Sequence, residues 1–580
     1  MIILSIMIFI VAIALTSSQQ VLSTESMALK AEDGRTINTV DSKISSLPAE
    51  SDITETGLSP IIITRLTSIV FLISGALSYN ALYIQSIGSG ISIYSGLFQI
   101  TVLSQSFDLF IFILASLILI PWVKSINMRN IKDSVSYITG PIVSEYSLIL
   151  LFSTLGSSLL LSSGNLLSMY LSVELQSFGV YILATIYRNS ESSTSAGLKY
   201  FLLGGLSSCL ILLGCVLIYS YTGLIHFEDI YSLITAGGSI DSNVTGLSAL
   251  HVVLSHPSLE LGLILIFIGF LFKIAASPFH NWAPDVYNDV PTIVTTWLSI
   301  MPKIAIIVLS FEIMSTINLD YISLWESGTG LVSLNSTTSL KTLLLLSSFL
   351  SLIIGTVVGL AQIKIKRLLA YSTISHVGFL LMALSINTEE SLESLLFYLI
   401  QYSFTNLNTF FILLSFGYIL HNATLRGSAI VNKDSHSNKD ISLISELKGQ
   451  FRSNPLLSLS LSVSLFSMAG IPPLLGFFAK AQILYAATQN GYYFISLVAI
   501  VVSVISAYYY LQIIKVMHFD SDSVSAISVA SEEETVSYYG ISNVHSYIIS
   551  VLTLSLLLFI LNPSILLNSV HLLALNIFYS

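Results

Sequence analysis

The stretch that most constrains this chain runs from Leu261 to Asp285, where a long apolar run carries a lysine and then a proline. Between Glu260 and Asp285, Lys273 is the only Lys, Arg, Asp or Glu, and Pro278 follows it closely. An ammonium near the bilayer centre costs roughly 3 kcal/mol on insertion scales, so it persists where it has a partner or a water-filled cavity. Proline lacks a backbone N–H, and helix breaks at this depth survive where they line a cavity. A buried charge beside a broken helix therefore predicts an ion path.

The composition is that of a chain embedded in a membrane. Its 580 residues are 54% hydrophobic and 9% charged, whereas soluble domains carry about 25% charged residues. Apolar runs that reach the length of a membrane span, about 20 residues, predict an all-helical polytopic membrane protein of about 14 transmembrane helices. The predicted spans cover, in order, residues 1–17, 60–82, 107–123, 144–162, 166–187, 198–220, 259–278, 290–310, 340–360, 368–386, 392–419, 455–486, 491–516 and 546–562.

The spans divide the chain into four parts. Residues 1–143 hold spans 1 to 3 and a polar loop over residues 18–59, and residues 517–580 hold an acidic loop and span 14. Residues 144–310 contain spans 4 to 8, and residues 340–516 contain spans 9 to 13. An odd number of spans reverses the orientation of the second set. We therefore expect two inverted five-helix repeats, with the corresponding helices 7 and 12 broken.

Charges in the connections are sorted by side. Lys and Arg collect after the odd-numbered spans, and Asp and Glu after the even-numbered ones, where Glu312 is predicted to lie in the loop after span 8. The positive-inside rule places the basic loops in the matrix or cytoplasm and both termini on the opposite side. Lys199 is interpreted as an anchor at the membrane interface. Lys364, Lys366 and Arg367 are interpreted as orientation signals.

Three further ionisable groups stand alone in apolar spans. Glu174 lies in span 5, Lys303 in span 8 and Lys480 in span 12. Pro472 and Pro473 precede Lys480 and predict a second helix break. Isolated ionisable groups within membrane spans mark ion or proton pathways by default.

These groups together form a predicted proton relay of Glu174, Lys273, Lys303, His376 and Lys480. Glu174 is the only carboxylate deep in the first repeat, so we expect it to pair with Lys273. Separating and rejoining that pair would change Lys273 between proton donor and acceptor. Lys303 would pass the proton to the second half, and Lys480 would exchange it on the far side. His376, in an apolar span, is a candidate switchable group, with a hydrogen-bonded core histidine as the alternative.

The remaining candidate groups have simpler interpretations. Asp285 and Asp289 are predicted to be solvated loop carboxylates, with proton entry or exit as the alternative. Cys209 and Cys215 have no C-x-x-C pattern and no nearby His, so we expect buried structural thiols. No basic face indicates nucleic acid binding. Without a G-x-G-x-x-G or P-loop sequence, the driving energy is expected to come from a partner or an ion gradient.

A family resemblance is carried by three stretches: LFKIAASPFHNWAPDVYNDVPTIVTTWLSIMPKIAI, IKIKRLLAYSTISHVGFLLMAL and SMAGIPPLLGFFAKAQIL. Over roughly residues 100–516 the chain resembles the antiporter-type membrane subunits of respiratory complex I. The resemblance implies a subunit of the proton-pumping membrane arm of NADH:ubiquinone oxidoreductase, with the family's helix 5 glutamate at Glu174. The family's lysines on helices 7, 8 and 12 then match Lys273, Lys303 and Lys480.

The resemblance also implies where the cofactors and partners lie. It implies no cofactor, metal or redox centre in this chain, with NADH, FMN, iron–sulfur clusters and ubiquinone bound by partner subunits. The partners would be other membrane-arm subunits of complex I and lipids of the mitochondrial inner membrane, with both termini toward the intermembrane space. Two alternatives stay open: a cation/proton antiporter subunit of the Mrp type, and a structural scaffold of the membrane arm.

Overall fold

The structure, a computed structural model, describes residues 1–14, 60–84, 87–88, 90–120, 145–187, 190–238, 257–316, 336–427, 440–520 and 542–579. Within these ranges the chain is helical apart from short connections and one hairpin, in which strand β1 (Ile91–Ile93) pairs antiparallel with β2 (Phe98–Ile100). The helices are α1 (Ile2–Ala14), α2 (Pro60–Ala81), α3 (Val102–Leu119), α4 (Glu145–Leu161), α5 (Leu166–Thr185), α6 (Glu191–Thr222), α7 (Phe227–Gly238), α8 (Pro257–Lys273), α9 (Trp282–Asp289), α10 (Thr292–Thr316), α11 (Ser336–Leu360), α12 (Ile365–Ile386), α13 (Glu389–Gly427), α14 (Gln450–Ser453), α15 (Pro455–Ala469), α16 (Leu475–Gln489), α17 (Tyr493–His518), α18 (Asn543–Leu558) and α19 (Ser564–Tyr579).

In the part of the chain that the structure describes, ten helices are long and apolar enough to cross a membrane. Shorter apolar helices, α1, α4, α15 and α19, accompany them. The predicted class, an all-helical polytopic membrane protein, is confirmed. The inverted arrangement of the two repeats stays a prediction.

Four helices, α7, α9, α14 and α19, lie outside the predicted spans. α7 begins with an acidic turn and α19 follows the Asn562-Pro563 pair, and both are shorter than a membrane crossing requires. The C-terminal part of the chain was predicted to hold a single helix, and it holds α18 and α19. The prediction failed because it searched for spanning length, which neither short helix has.

Both predicted helix breaks are present. α8 ends at Lys273 and Pro278 lies in the connection to α9, while Pro472 and Pro473 lie between α15 and α16. Helix ends leave carbonyl groups without intrahelical partners. At the first break the indole Nε1 of Trp282 donates to the carbonyl oxygen of Phe272 at 2.9 Å. The break is therefore a built feature, in which a side chain satisfies an exposed helix end.

At the second break the backbone turns through Gly470, which has φ +85°. Its N–H donates to the carbonyl oxygens of Phe466 and Ser467, both at 3.1 Å. Glycine adopts this left-handed conformation without a Cβ penalty, so it is favoured at a helix C-terminus. On the other side of the break, the N–H of Gly476 donates to the Ser467 hydroxyl at 3.2 Å.

Close approach of glycines sets the spacing of α6 and α8. A Cβ atom on Gly214 would lie 2.5 Å from the carbonyl oxygen of Gly262, and a Cβ on Gly262 would lie 3.0 Å from the carbonyl oxygen of Gly214. Small residues at helix interfaces let backbones approach closely within a membrane. This contact fixes α8, which carries Lys273, against α6.

The helices that carry Lys303 and His376 form the centre of the bundle. In α10 and α12, 94% of the most apolar 18-residue segment is buried, compared with 39% in α2, α6 and α17. Lipid-facing helices expose apolar side chains, whereas central helices are covered on all sides. The candidate groups on α10 and α12 are therefore inside the protein.

Several predicted boundaries were wrong. Span 7 was predicted to end at residue 278, with Asp285 and Asp289 in a loop, but both lie in α9. A short helix with two carboxylates has too little hydropathy to be recognised as part of a span. Glu312 was predicted in a loop and lies within α10, which continues to Thr316. Cys209 is exposed, which corrects its prediction as a buried thiol, whereas Cys215 is buried.

Candidate functional site

The first candidate group is an ion pair between α5 and α8. Lys273 Nζ lies 3.6 Å from Glu174 Oε1. The same ammonium donates to the hydroxyl oxygens of Ser177 at 2.7 Å and Ser208 at 3.1 Å. Lys273 is buried. A buried ammonium is tolerated when a carboxylate and hydrogen-bond acceptors surround it, and this one has both.

The spacing of residues along α5 builds this environment. Glu174, Ser177 and Tyr181 are three and four residues apart, so they share one face of the helix. The ring centroid of Tyr181 lies 5.9 Å from Lys273 Nζ, within the range of a cation–π contact. A Cβ atom on Gly204 would collide with the Tyr181 hydroxyl oxygen. Glycine at this position of α6 therefore allows Tyr181 to lie beside the lysine.

The second group surrounds Lys303 on α10. Lys303 Nζ donates to the Tyr402 hydroxyl at 3.2 Å, and that hydroxyl donates to the carbonyl oxygen of Ser299 at 2.8 Å. The rings of Tyr287 and Tyr402 lie 5.8 and 5.7 Å from Nζ. A phenol thus takes the place that a carboxylate holds at Lys273.

The third group is His376 on α12, whose two ring nitrogens both face phenols. Nδ1 lies 2.7 Å from the Tyr398 hydroxyl, and Nε2 lies 3.4 Å from the Tyr510 hydroxyl. The ring centroids of His376 and Tyr402 are 5.9 Å apart. Tyr402 therefore stands between His376 and Lys303. The geometry agrees with a hydrogen-bonded core histidine and also with a histidine that exchanges protons.

The fourth group is Lys480 on α16, which reaches back across the second break. Lys480 Nζ donates to the carbonyl oxygens of Met468 and Ala469, both at 2.9 Å. These are the last carbonyls of α15, at the negative end of that helix. In sequence Pro278 follows its lysine and Pro472 precedes Lys480. At the first break the lysine is the last residue of α8 itself, and its ammonium contacts side chains of neighbouring helices.

The partners of the lysines differ in charge. Among the described residues Glu174 forms an ion pair with Lys273, and neither Lys303 nor Lys480 has a carboxylate within ion-pair distance. His376 is close enough to both of these lysines to interact with them electrostatically. The central part of the candidate site therefore holds basic groups without a compensating anion.

A row of aromatic rings separates the first two groups. Tyr181 packs on Tyr200 with centroids 4.7 Å apart, Tyr200 stacks on Trp282 at 4.4 Å, and Trp282 lies 6.2 Å from Tyr287. Tyr181 contacts the first lysine and Tyr287 the second. Aromatic pairs of this kind hold helices in fixed positions. The packing defines the distance over which a proton would have to pass between the two lysine sites.

Asp285 is held by two cations at one end of the bundle. Its carboxylate pairs with Lys199 on α6 at 3.3 Å and with Arg367 on α12. Burial raises the pKa of Asp285, but the two cations outweigh that effect and hold the pKa below its usual range. Asp285 is therefore an ion-paired anion and not the freely solvated loop carboxylate that was predicted.

A second ion pair joins three segments at the same end. Asp440 Oδ2 accepts from Lys366 Nζ at 2.6 Å and from the backbone N–H of Thr292, the first residue of α10, at 2.8 Å. Lys366 also donates to the carbonyl oxygen of Val290 at 3.0 Å. Burial raises the pKa of Asp440, and Lys366 together with the helix N-terminus brings it below the usual value. Lys366 is thus buried and paired in addition to any effect on orientation.

Several site residues were missed from the sequence. Ser177, Ser208, Tyr398, Tyr402 and Tyr510 contact the relay groups directly. The four-residue spacing of Tyr398 and Tyr402 within an apolar span was the available signal, because it places two phenols on one helix face.

One buried carboxylate also escaped prediction. Asp108 lies within α3, outside the candidate site, and its Oδ1 has no hydrogen-bond partner among the described residues. In the same residues no three His, Cys, Asp or Glu side chains are grouped to hold a metal ion.

Two broken helices, each with a lysine beside the break, and a set of buried ionisable groups in a helical bundle define the class as a polytopic membrane protein with ionisable groups inside its bundle. Comparison with known proteins gives this class a family. Residues 163–506 match the family model described as NADH:quinone oxidoreductase/Mrp antiporter, TM. A relative from Rhizopus oryzae, NADH-ubiquinone oxidoreductase chain 2, is 51% identical over 542 residues, which covers 90% of this chain and 96% of the relative. The chain belongs to this family of antiporter-like subunits, in the branch of complex I subunit 2.

Solved structures agree with the fold. A chain of respiratory complex I from Thermus thermophilus superimposes with a TM-score of 0.60 at 26% identity, over 88% of this chain and 99% of the other. A chain of the Mrp complex from Dietzia sp. DQ12-45-1b gives a TM-score of 0.66 at 17% identity, over 90% of this chain and 93% of the other. The second likeness concerns the fold alone, because its sequence identity is low.

Proposed function

We propose that this chain moves protons across the mitochondrial inner membrane as a membrane-arm subunit of NADH:ubiquinone oxidoreductase. The proposal is supported by the family membership and by the name of the Rhizopus oryzae relative. All five relay residues, Glu174, Lys273, Lys303, His376 and Lys480, fall within the residues that match the family model. Redox chemistry in partner subunits, which hold NADH, FMN, iron–sulfur clusters and ubiquinone, drives the transfer.

The observation that carries the proposal is the surrounding of Lys273. Glu174 lies 3.6 Å away and two serine hydroxyls accept from the ammonium. In this arrangement the neutral amine that remains after proton loss keeps hydrogen-bond partners, because the serine hydroxyls can reorient and donate to it. Moving Glu174 away removes the stabilising anion and favours release of the proton.

The later groups receive the proton in order. Lys303 accepts it and exchanges it through the Tyr402 phenol with His376, whose ring lies beside the same phenol. Lys480, held by two backbone carbonyls, exchanges the proton on the far side. Protonation of Lys303 and of Lys480 is mutually unfavourable without an anion between them, so occupancy alternates along the row.

The orientation follows from the loops. Lys199, Arg367 and Lys366 lie with Asp285 and Asp440 at one end of the bundle, which we assign to the matrix by the positive-inside rule. Both termini then face the intermembrane space. Other membrane-arm subunits and lipids of the inner membrane cover the exposed apolar helices.

The test uses the assembled complex with Lys273→Met or Glu174→Gln in this chain. We expect assembly to be preserved and ubiquinone reduction coupled to proton pumping to fall roughly tenfold or more, a barrier change of about 1.4 kcal/mol per factor of ten. Lys199→Met is the matched control, because that lysine is outside the relay and largely exposed. Pumping that is unchanged in both relay variants would contradict the proposal and favour a structural scaffold.

A cation/proton antiporter of the Mrp type is the second candidate, favoured by the shared fold. Purification of the native protein separates the two candidates. Co-migration with flavin- and iron–sulfur-containing subunits supports the redox-driven pump, whereas a stable complex that lacks them supports the antiporter.

A further inference from the structure

The connection between α13 and α15 crosses one end of the bundle and pairs with the backbone at the start of α12. The N–H of Ile365 donates to the carbonyl oxygen of Ser442 at 3.1 Å, and the N–H of Ile444 donates to that of Ile363 at 3.2 Å. These two bonds hold residues 440–447, the clasp, beside α12.

One carboxylate of the clasp contacts the start of α10. Asp440 Oδ2 accepts from the backbone N–H of Thr292 at 2.8 Å and from Lys366 Nζ at 2.6 Å. The first N–H groups of a helix have no intrahelical partners and carry partial positive charge. The residue before α10 is Pro291, whose side chain has no acceptor. The clasp therefore supplies, from a distant part of the chain, the acceptor that the preceding residue cannot provide.

The helix held in this way contains an internal proline. Pro302 lies within α10, directly before Lys303. Because proline has no N–H, the carbonyl oxygen of Leu298 loses its intrahelical partner, and it accepts from the Tyr287 hydroxyl at 3.4 Å instead. Helices bend at interior prolines. Residues 292–301, the N-terminal segment of α10, are about 15 Å long and can therefore pivot at the proline.

This N-terminal segment also holds the phenol of Tyr402. The Tyr402 hydroxyl donates to the carbonyl oxygen of Ser299 at 2.8 Å and accepts from Lys303 Nζ at 3.2 Å. Ser299 belongs to the segment, whereas Lys303 follows the proline. The ring centroids of Tyr402 and His376 are 5.9 Å apart. A shift of the segment by about 1 Å would lengthen the Ser299 bond beyond hydrogen-bond range and release the phenol.

We propose that Asp440 is a positioning residue of the relay, which holds the N-terminal segment of α10 and, through it, the phenol of Tyr402. Within the described residues its hydrogen bonds go to Thr292 and Lys366, so it acts on the relay indirectly. The effect on proton transfer rests on the proposed function, whereas the effect on the position of Tyr402 does not.

Lys366 makes the contact between the clasp and α10 stronger. Its ammonium is 5% exposed and also donates to the carbonyl oxygen of Val290, just before α10, at 3.0 Å. A paired ammonium keeps the Asp440 carboxylate charged, and hydrogen bonds to a charged acceptor are about twice as strong as neutral ones. The start of α10 is thus joined to α12 by a charge-assisted contact.

The first experiment is a high-resolution structure of the assembled complex that contains this chain with Asp440→Ala. Alanine has no side-chain acceptor, so we expect the Tyr402 hydroxyl to leave the carbonyl oxygen of Ser299. The contact between Lys273 and Glu174 should be the same as in the unchanged complex. A Tyr402 hydroxyl that keeps its bond to Ser299 would overturn the proposal.

Glu393→Gln is the matched control for this change. Glu393 is an ion-paired carboxylate of similar exposure, 25% against 21% for Asp440, but it lies on α13 and pairs with His571 of α19 at 3.0 Å. Its removal should leave Tyr402 in place. Displacement of Tyr402 in both variants would show a general loosening of the bundle and would also overturn the proposal.

The second experiment measures the rate of proton pumping per assembled complex. Loss of one net hydrogen bond changes a rate about fivefold, so we expect Asp440→Ala to pump about fivefold more slowly. Asp440→Glu keeps a carboxylate that can accept from Thr292 and should recover most of the rate. Glu393→Gln should pump at the unchanged rate. Equal rates for the alanine variant and the unchanged complex would contradict the proposal.

Tyr402→Phe separates positioning from a general structural effect. Without the phenol hydroxyl, the N-terminal segment of α10 has nothing to hold in place, so adding Asp440→Ala should cause no further decrease. A second decrease of the same size would mean that Asp440 does not act through Tyr402. Should Asp440→Ala not assemble, Asp440→Leu with Lys366→Met leaves no buried charge unpaired, and we expect it to assemble with Tyr402 displaced.

The outcomes separate this inference from the relay. If Lys273→Met abolishes pumping while Asp440→Ala pumps normally, the relay stands and the positioning role is wrong. If Lys273→Met pumps normally, the proposed function is wrong, and displacement of Tyr402 in the Asp440→Ala structure would still support the positioning role.

Discussion

The ion pair between Lys366 and Asp440 gives the sharpest stability prediction. Lys366 is 5% exposed and Asp440 21%, and Asp440 also accepts from the N–H of Thr292 at the start of α10. Removal of one partner of a buried pair costs about 3–5 kcal/mol, because it leaves the other charge uncompensated. Asp440→Asn keeps an acceptor oxygen, and Lys366 keeps the carbonyl of Val290. We therefore expect a loss of about 2–3 kcal/mol, the range of a charge-assisted hydrogen bond.

Asp285→Asn is the matched control for this change. Asp285 also has cationic partners, but it is 33% exposed and its partner Lys199 is 59% exposed. Exposed ion pairs contribute about 0–1 kcal/mol, because water and salt screen them. The two variants remove the same charge at the same end of the bundle and differ in burial.

The assay is the half-life of the purified complex at one elevated temperature, because large assemblies unfold irreversibly and their stability is a rate. If the ion pair is already broken in the transition state for unfolding, each loss of about 1.4 kcal/mol makes unfolding tenfold faster. Asp440→Asn should shorten the half-life tenfold or more, and Asp285→Asn less than about fivefold. Adding Lys366→Met to Asp440→Asn should recover part of the loss, since no buried charge is left unpaired. Equal half-lives for the two asparagine variants would refute the reasoning.

Three further predictions follow from the same geometry. Asp440 and Asp285 have lowered pKa values in the folded protein, so the stability they contribute is complete above the unfolded carboxyl pKa of about 3.9 and is lost as pH falls through the folded pKa. Heat inactivation of the wild type should therefore accelerate below about pH 4. The acceleration should be smaller in Asp440→Asn. Lys480→Glu should abolish coupled pumping, because a carboxylate would face the two carbonyl oxygens to which Lys480 now donates, whereas Lys480→Arg should retain part of the pumping. Full pumping by the glutamate variant would contradict this prediction. Gly470→Ala should lower pumping without loss of assembly, because the residue has φ +85° and its Cβ would lie 2.9 Å from Lys480 Cδ, and the proton-to-electron ratio measures this.

The site residues that could be predicted from the sequence are those that are unusual within an apolar membrane span. Lys273 and Lys480 are visible because an ammonium in an apolar run is costly, and the prolines beside them locate the breaks. Glu174 could be paired with Lys273 because it is the only carboxylate deep within the predicted spans of the first repeat. Each of these inferences needs only the cost of burying one group.

The parts that could not be predicted depend on which helices meet. Tyrosine is common in protein interiors, so nothing in the sequence distinguishes Tyr402 from other buried phenols until α10 and α13 are placed together. Asp440 and Lys366 are 74 residues apart, and both read as ordinary loop charges. The short helix α9 was missed because its two carboxylates lower its hydropathy, although Asp285 proves to be ion-paired.

The two breaks also explain why the order of lysine and proline is not a reliable guide to the repeats. At the first break the lysine ends the half-helix, and its ammonium turns to a carboxylate and two hydroxyls on neighbouring helices. At the second break the lysine follows the gap and its ammonium folds back onto the carbonyls of the preceding half-helix. Both arrangements stabilise an ammonium beside a break, the first with a carboxylate and two hydroxyls and the second with the partial negative charge of a helix C-terminus. The physical requirement acts on the position of the charge in space, so the two halves can satisfy it with opposite sequence orders.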